Sequence, residues 1–341
     1  MASKLQGVSS TMKANELFGK KQPAAKAVRT RFRAYKLGKA GSLCSYFADG
    51  HFTLIEAMDT ELSRPRLLAE MKLCGKESID TLHITSWDED HCEANSLEWI
   101  LATLSPKKIQ VPGYQHDTQN VKDCQSLISQ YQSKQRRIGK NTDVIAVTPE
   151  YITSLGQAAV LGYEDILYHP KSIFTKSNDN STVKFFRRGC FNVLSTGDIE
   201  HHNIGAYLRC CKKLRRELDV LLLPHHGGPV DLMTKKFLEE LNPSLAVCTS
   251  NTGNQHEHPD PAVRKLLSDR RIPLMTTKRG DVIIESIGSH MSKYQAFDLI
   301  SDGETAQEQR TFTARKFEVM SMNGDTIRNR LEIRSNRPRL H

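Results

Sequence analysis

The sequence predicts an α/β protein, an αββα-like layered sandwich with a small C-terminal appendage. Three observations predict it. Strand-like segments come first as a β-meander, and helix-like and strand-like segments then alternate. Three clusters of carboxylates and imidazoles each follow a strand-like run, where a buried strand should end.

Residues 1–28 are polar and lysine-bearing and read as a flexible basic tail. Residues 31–37 alternate as a strand, 42–47 follow a turn at Gly38 and Gly41, and 51–55 follow Asp49-Gly50 and end on Glu56. Pro65 starts a helix over 64–73. A strand at 81–84, a helix at 93–104 and a strand at 108–111 follow, the last stopped by Pro112-Gly113. Residues 119–135 form a polar amphipathic helix, and 143–147 a short strand. Segments 183–186 and 191–194 look like a hairpin around Arg187-Arg188-Gly189. A helix from about 204 to 218 leads to an apolar strand at 220–223, and the alternation continues through 232–241, 245–248, 261–267 and 282–285. The main domain is therefore expected over 29–289. The appendage covers 290–341, with a strand at 311–319 and an arginine-rich end.

With 48 basic against 39 acidic residues among 341, the net charge is +9, which suits a polyanionic partner. No stretch approaches the roughly 20 apolar residues of a membrane helix. No secretory signal is visible, and the eight cysteines show no CxxC spacing. These features predict a cytoplasmic protein with reduced thiols, and Cys92 is read as packing.

The first cluster holds Thr85, Ser86, Asp88, Asp90 and His91, the second Thr196-Gly197-Asp198, and the third His225-His226-Gly227-Gly228. Taken singly, Asp88 or Asp90 reads as a helix N-cap and Thr196-Gly197-Asp198 as a turn. Taken together, mixed carboxylate and imidazole ligands suit Mn²⁺, Zn²⁺ or Fe better than a thiolate-preferring ion. A divalent ion lowers the pKa of a bound water and so supplies a nucleophile for phosphodiester cleavage. His258, before Pro259, is placed to donate a proton to a leaving oxygen or to grip phosphate. Asn178, Ser181 and Asn254 are candidates for hydrogen bonds to phosphate, and Arg187 and Arg188 for a phosphate track. The basic groups at Lys134/Arg136/Arg137 and Lys212/Lys213/Arg215/Arg216 read as solvated faces.

In this order the pieces resemble the metallo-β-lactamase fold, and within it the nuclease-like domain of ComEC-type DNA-uptake proteins. The likeness runs over about residues 30–287: Gly38 and Gly41 in an early turn, then Glu56, then residues 85–91 against T-H-x-D-x-D-H. Asn178 and Ser181 match N-x-x-S, followed by Thr196-Gly197-Asp198, His225-His226-Gly227 and His258-Pro259. The resemblance implies that Asp198 bridges two metals. Asp90, His91 and one of His225 and His226 would hold one ion, with Asp88 and Asp198 holding the other. Ser86 stands where the family has its first motif histidine, which puts the second ion in doubt and favours Mn²⁺ over two tightly held zincs.

The expectation is thus a metal-dependent phosphodiesterase using one or two ions, most simply a DNA nuclease with Asp90, Asp198 and His258 as catalytic residues. No channel segment is visible, so degradation, for example in a defence system, fits better than uptake. The alternatives are a small-nucleotide phosphodiesterase and a degenerate, non-catalytic module binding nucleic acid or protein. DNA is the expected partner, with a protein partner conceivable through the C-terminal appendage and no membrane partner.

Overall fold

A computed structural model describes residues 29–156, 164–253, 257–288, 290–301 and 303–319. The expected tail over 1–28 and residues 320–341 of the expected appendage lie outside these, as does Asn254.

The meander forms first: β1 (Arg31–Ala34), β2 (Cys44–Ala48) and β3 (His51–Ile55). Asp49 and Gly50 both take positive φ in the β2–β3 turn, the twist that lets two short strands fold back on each other. Parallel units follow: α1 (Arg64–Leu73), β4 (Thr81–His83), α2 (Ala94–Leu104), β5 (Lys108–Pro112), α3 (Gln119–Arg137), β6 (Asp143–Val147) and α4 (Pro149–Ser154). Local chemistry sets several helix starts. Pro65 lies in the first turn of α1, and the Thr118 and Thr148 hydroxyls accept from the backbone N–H three residues on, capping α3 and α4.

The second half supplies β7 (Ile166–His169), β8 (Val183–Phe186), β9 (Val193–Ser195), α5 (His202–Cys210), α6 (Lys212–Glu217), β10 (Val220–Leu222), α7 (Lys235–Leu241), β11 (Leu245–Cys248), α8 (Pro261–Ser268) and β12 (Leu274–Thr276). It closes with β13 (Val282–Ile287), β14 (Lys293–Leu299) and β15 (Ala306–Thr313).

These strands make two sheets. One runs β15-β14-β13-β1-β2-β3-β4-β5-β6, the other β12-β11-β10-β9-β8-β7. Between them lies a core that includes Phe32, Tyr46, Phe186, Phe191, Met275, Ile284 and Tyr294. Outside the first sheet, Leu67, Leu97, Ile100 and Ile128 of the helices pack on Leu54, Leu82 and Ile109. Outside the second, Leu208, Leu214, Phe237 and Leu267 pack on Phe185, Leu194 and Ala246. The layers are therefore helix, sheet, sheet, helix, as the alternation predicts.

Strand period two also explains a buried charge network. Phe32 and Ala34 face the inter-sheet core, so Arg31 and Arg33 point to the opposite face. There Arg31 meets Glu70 of α1 at 2.6 Å, and Arg33 meets Asp281 at 2.6 Å and Glu70 at 3.3 Å. Such charges are tolerated inside only because each is paired.

Three expectations need correction. The single helix expected over 204–218 is two, broken where Cys211 is extended. The strand expected at 311–319 ends at Thr313, and residues 315–319 are helical. That turn buries the Lys316 ammonium against the carbonyls of Arg187 and Gly189, at 2.5 and 2.7 Å. The described part of 290–341 is also not set apart. β14 and β15 extend the first sheet, and Tyr294 and Ala296 join the inter-sheet core.

Candidate metal centre

Topology brings the clusters together. β3 and β4 run parallel, as do β9, β10 and β11, so the loops after β4, β9, β10 and β11 leave from carboxyl ends. Open α/β sheets usually bind ligands at such ends. The Thr182 N–H donates to the Thr85 carbonyl at 2.8 Å, joining the second sheet to the loop after β4.

Four side chains converge there: Asp90 and His91 after β4, Asp198 after β9, and His226 after β10. One donor atom from each lies within 4.8 Å of all the others. His91 Nε2 is 2.9 Å from Asp198 Oδ1, and His226 Nε2 is 3.1 Å from Asp90 Oδ2 and 3.8 Å from Asp198 Oδ1. Although close, His91 Nε2 and Asp198 Oδ1 are buried and make no well-directed hydrogen bond. Ligand atoms aimed at a common cation approach each other in this way, and the mix of two carboxylates and two imidazoles fits a borderline or hard divalent ion.

The electrostatics agree. Burial opposes charge on His91, yet Asp198, Glu56 and Asp90 outweigh it and hold its pKa well above the ordinary imidazole value. Burial likewise opposes charge on His226, and Asp198 and Asp90 again prevail and raise its pKa. Burial alone would push Asp198 up, but His91 and His226 hold it well below the usual carboxylate range. Asp90 is lowered in the same way, His91 leading the groups that outweigh burial. Each group thus finds its counter-charge within the cluster, a demand that a bound cation would meet instead.

The backbone around the cluster is held against its preferences. His225 and His226 have φ of 49° and 51°, left-handed values that histidine rarely adopts. Neighbouring bonds hold them there. The His225 N–H donates to the Gly197 carbonyl at 3.1 Å, and the Cys248 thiol donates to the His226 carbonyl at 3.0 Å. Gly41, at φ 132°, sits where a Cβ would lie 2.9 Å from the Asp90 carbonyl. Gly197, at φ 52°, would place a Cβ 2.8 Å from the Thr85 hydroxyl. Both turns need glycine for close approach to the ligand loops.

Supporting carboxylates orient the rings. Glu56 Oε1 is 3.1 Å from His91 Nδ1, and Glu56 also accepts from the Thr85 N–H and hydroxyl, at 2.9 and 2.5 Å. A carboxylate behind a ligating imidazole fixes its tautomer and raises its basicity. His226 Nδ1 lies 3.0 Å from the Thr249 carbonyl, leaving Nε2 for the cluster. Beside the cluster opens a pocket of about 450 Å³, lined by Gly41, Asp90, His225, His226, Ser250 and His258, among others.

Several expected residues fall elsewhere. Of the histidine pair, only His226 joins the cluster, while His225 turns to Glu200 with Nδ1 2.8 Å from Oε1. Asp88 is also outside. Its carboxylate accepts from the Ser86 hydroxyl at 2.8 Å and lies 3.5 Å from His116 Nε2. Ser86 is buried, and its hydroxyl is 3.0 Å from that of Tyr114. Asn178 donates to Glu200 at 2.7 Å and so supports His225 at one remove. Ser181 is buried beside Gly197, and its hydroxyl has no hydrogen-bond partner among the described residues. His258 lines the pocket with its ring 6.1 Å from that of His225.

The phosphate track expected at Arg187 and Arg188 is overturned. Arg187 is fully buried and paired with Glu217 at 2.9 Å. Arg188 pairs with Glu164 at 2.5 Å. β8 starts beside the cluster, and its four residues carry the chain away, so these arginines sit at the opposite strand end.

Sequence reasoning missed Tyr114, His116, Glu200 and Thr249. Their signal was position: each lies within a few residues of a strand or motif ending at this edge. All eight cysteines are free, and buried Cys92 faces Cys124 with 3.6 Å between sulfurs, consistent with packing.

The layered fold with an Asp–His cluster at its strand ends resembles metallo-β-lactamase-fold proteins. No family model matches the chain. By sequence it is similar to ComE operon protein 3 of Bacillus subtilis, 23% identical over 214 residues. That match covers 61% of this chain and spans only 25% of the relative's length. Among solved structures it is similar to the metallo-β-lactamase-fold protein YhfI of Bacillus subtilis, with 13% identity and a TM-score of 0.46 over 75% of this chain and 99% of that one. It is also similar to Tm1679, a metal-dependent hydrolase of the β-lactamase superfamily, with 12% identity and a TM-score of 0.44 over 74% and 98%. A metallo-hydrolase from Ignicoccus hospitalis, Igni18, gives 16% identity and a TM-score of 0.40 over 74% and 98%. No helix among the described residues is long and apolar enough to cross a membrane.

Proposed function

We propose that the protein is a metal-dependent phosphodiesterase acting on DNA, with a single divalent ion, Mn²⁺ or Zn²⁺, held by Asp90, His91, Asp198 and His226. The observation that carries the metal reading is the convergence of those four donor atoms within 4.8 Å at the carboxyl ends of parallel strands. One ion is favoured over two because Asp88 and Ser86 are bonded to each other rather than turned into the cluster.

When bound, such an ion supplies an activated water and Lewis acidity for hydrolysis. The chain's own residues do the rest. Glu56 fixes the His91 ring, and Thr249 fixes that of His226. Glu200 holds His225 at the pocket wall, where His225 and His258 can bind phosphate oxygens or deliver a proton to a leaving oxygen. The DNA assignment draws on the +9 charge and on the likeness to ComEC-type nuclease domains.

The test uses purified wild type and Asp198→Ala with linear and circular DNA, single- and double-stranded, across Mn²⁺, Mg²⁺ and Zn²⁺. Cleavage that needs metal and is lost in the variant is the expected result. Absence of wild-type cleavage with every metal would overturn the nuclease reading.

A further inference from the structure

Beside the pocket lies a basic surface that the site described so far does not use. The loop carrying Thr249, Ser250 and Asn251 forms one pocket wall, and His258 forms another part. Thr252 in that loop donates its hydroxyl to the Lys278 carbonyl at 2.8 Å, joining the wall to the turn after β12. Pro259, next to His258, lines a shallow cleft with Arg264, Lys278 and Arg279. Arg264 and Leu274 line a second cleft as well, together with Arg271 and Arg310. Pro259 thus sets the first cleft next to the pocket, and Arg264 and Leu274, common to both clefts, carry the line along α8 to the amino end of β12.

The cations on this path contrast with two of their immediate neighbours. Lys265 on α8 is paired with Asp269 at 2.9 Å, and Arg270, just beyond the helix end, with Glu239 at 3.6 Å. Arg264 and Arg271 are exposed and Lys278 half-buried, and none of the three is ion-paired to a carboxylate among the described residues. Arg279 is held by Gln307 at 3.0 Å, and Arg310 is tied to Glu308, so these two are less free to bind. The acids facing the path are Asp298 in the first cleft and Glu308 near Arg310.

We propose that Arg264, Arg271 and Lys278 form the track that binds the phosphate backbone of DNA and leads it into the metal pocket. Its direction rests on the phosphodiesterase reading; the binding itself requires no cleavage. Unpaired cations in clefts that adjoin the pocket give sequence-independent, salt-sensitive attraction for a polyanion. A small substrate would fill the pocket without touching them.

The experiment measures anisotropy of a fluorescein-labelled duplex oligonucleotide with the full chain in EDTA, at about 50 mM and about 200 mM salt. Arg264→Gln, Arg271→Gln and Lys278→Gln are combined in one variant. The control combines Lys134→Gln, Arg136→Gln and Arg137→Gln, which removes equal charge from the exposed end of α3. Circular dichroism checks that both fold, and Arg264→Gln alone serves if the triple does not. The track variant should bind at least about tenfold more weakly, with a salt slope shallower by about 2.7 for three lost contacts. Arg264→Gln alone should cost about threefold at the lower salt, and the control less than about twofold. Equal losses in track and control variants, no loss in the track variant, or no DNA binding by wild type would overturn the proposal. Hydrolysis of bis(p-nitrophenyl) phosphate by wild type with Mn²⁺ reads the phosphodiesterase function separately. Its failure would sink that function without altering the DNA-binding result.

Discussion

At one corner of the strand edge, Asp90, His91, Asp198 and His226 converge with His91 Nε2 and Asp198 Oδ1 misdirected for a hydrogen bond. At the neighbouring corner Ser86, Asp88 and Tyr114 close on one another, with hydroxyl and carboxylate contacts of 2.8 and 3.0 Å. Both corners grow from the same loop after β4. The difference lies in whether polar groups are satisfied locally. A histidine at position 86 would project an imidazole, whereas serine is short enough to turn back and bond its own loop. The first corner gathers four charged donors that face one another, and the second closes through hydrogen bonds of its own loop and Tyr114.

The largest break of this contrast is Asp198→Asn, which keeps the shape and removes the charge shared by both histidines. Metal affinity by isothermal titration should fall by more than about 100-fold, beyond what loss of an outer partner costs. An unchanged affinity would disqualify the cluster as a metal site.

A second contrast sets the cluster's imidazoles, whose pKa values the neighbouring carboxylates raise, against His169. Burial lowers the His169 pKa to about 4, and its Nε2 contacts the Asp179 carbonyl at 2.6 Å. Between about pH 6.5 and 4 the unfolded chain therefore binds the proton that the native ring refuses. This stability is present above pH 6.5 and is lost as pH falls towards 4, amounting to about 3 kcal/mol at full effect. Denaturant melts across this window should show a shallower slope in His169→Gln. Identical slopes would remove His169 from the account.

Glu56→Gln probes the support behind the first corner. It leaves a hydrogen-bonding group against His91 but removes the carboxylate, and metal affinity should drop by about 10- to 100-fold. Tyr114→Phe probes the second corner. Losing the hydroxyl that meets Ser86 and the Trp87 N–H should cost about 1 kcal/mol in a thermal melt, with metal affinity unmoved. The smallest expected effect is that of Asp88→Asn on metal binding, a change of less than about threefold. A loss rivalling that of Asp198→Asn would place Asp88 among the ligands after all.

Much of this was legible in the chain. Alternation of apolar residues over 31–34 marks a strand, because period two puts one face in the core, the Asp49-Gly50 turn marks the start of another at 51–55, and Pro65 marks a helix start through its backbone chemistry. The spacing of Asp90, His91, Asp198 and His226 behind strand-like runs was visible too. The helical turn at 315–319 was not, because its driving contacts are between Lys316 and carbonyls more than a hundred residues away.

The sequence by itself determined much of the inventory: the meander and most of the alternating strands and helices, and which loops carry carboxylates and imidazoles. It could do so because backbone propensity and apolar periodicity act over neighbours in the chain. Only the tertiary structure decided that His226 rather than His225 faces the cluster, that Asp88 turns away, and that Arg187 is sealed against Glu217. Those outcomes depend on left-handed backbone held by Gly197 and Cys248, on which end of a strand meets which sheet, and on partners distant in sequence. A side chain's direction is fixed by what it packs against, and sequence spacing does not carry that information.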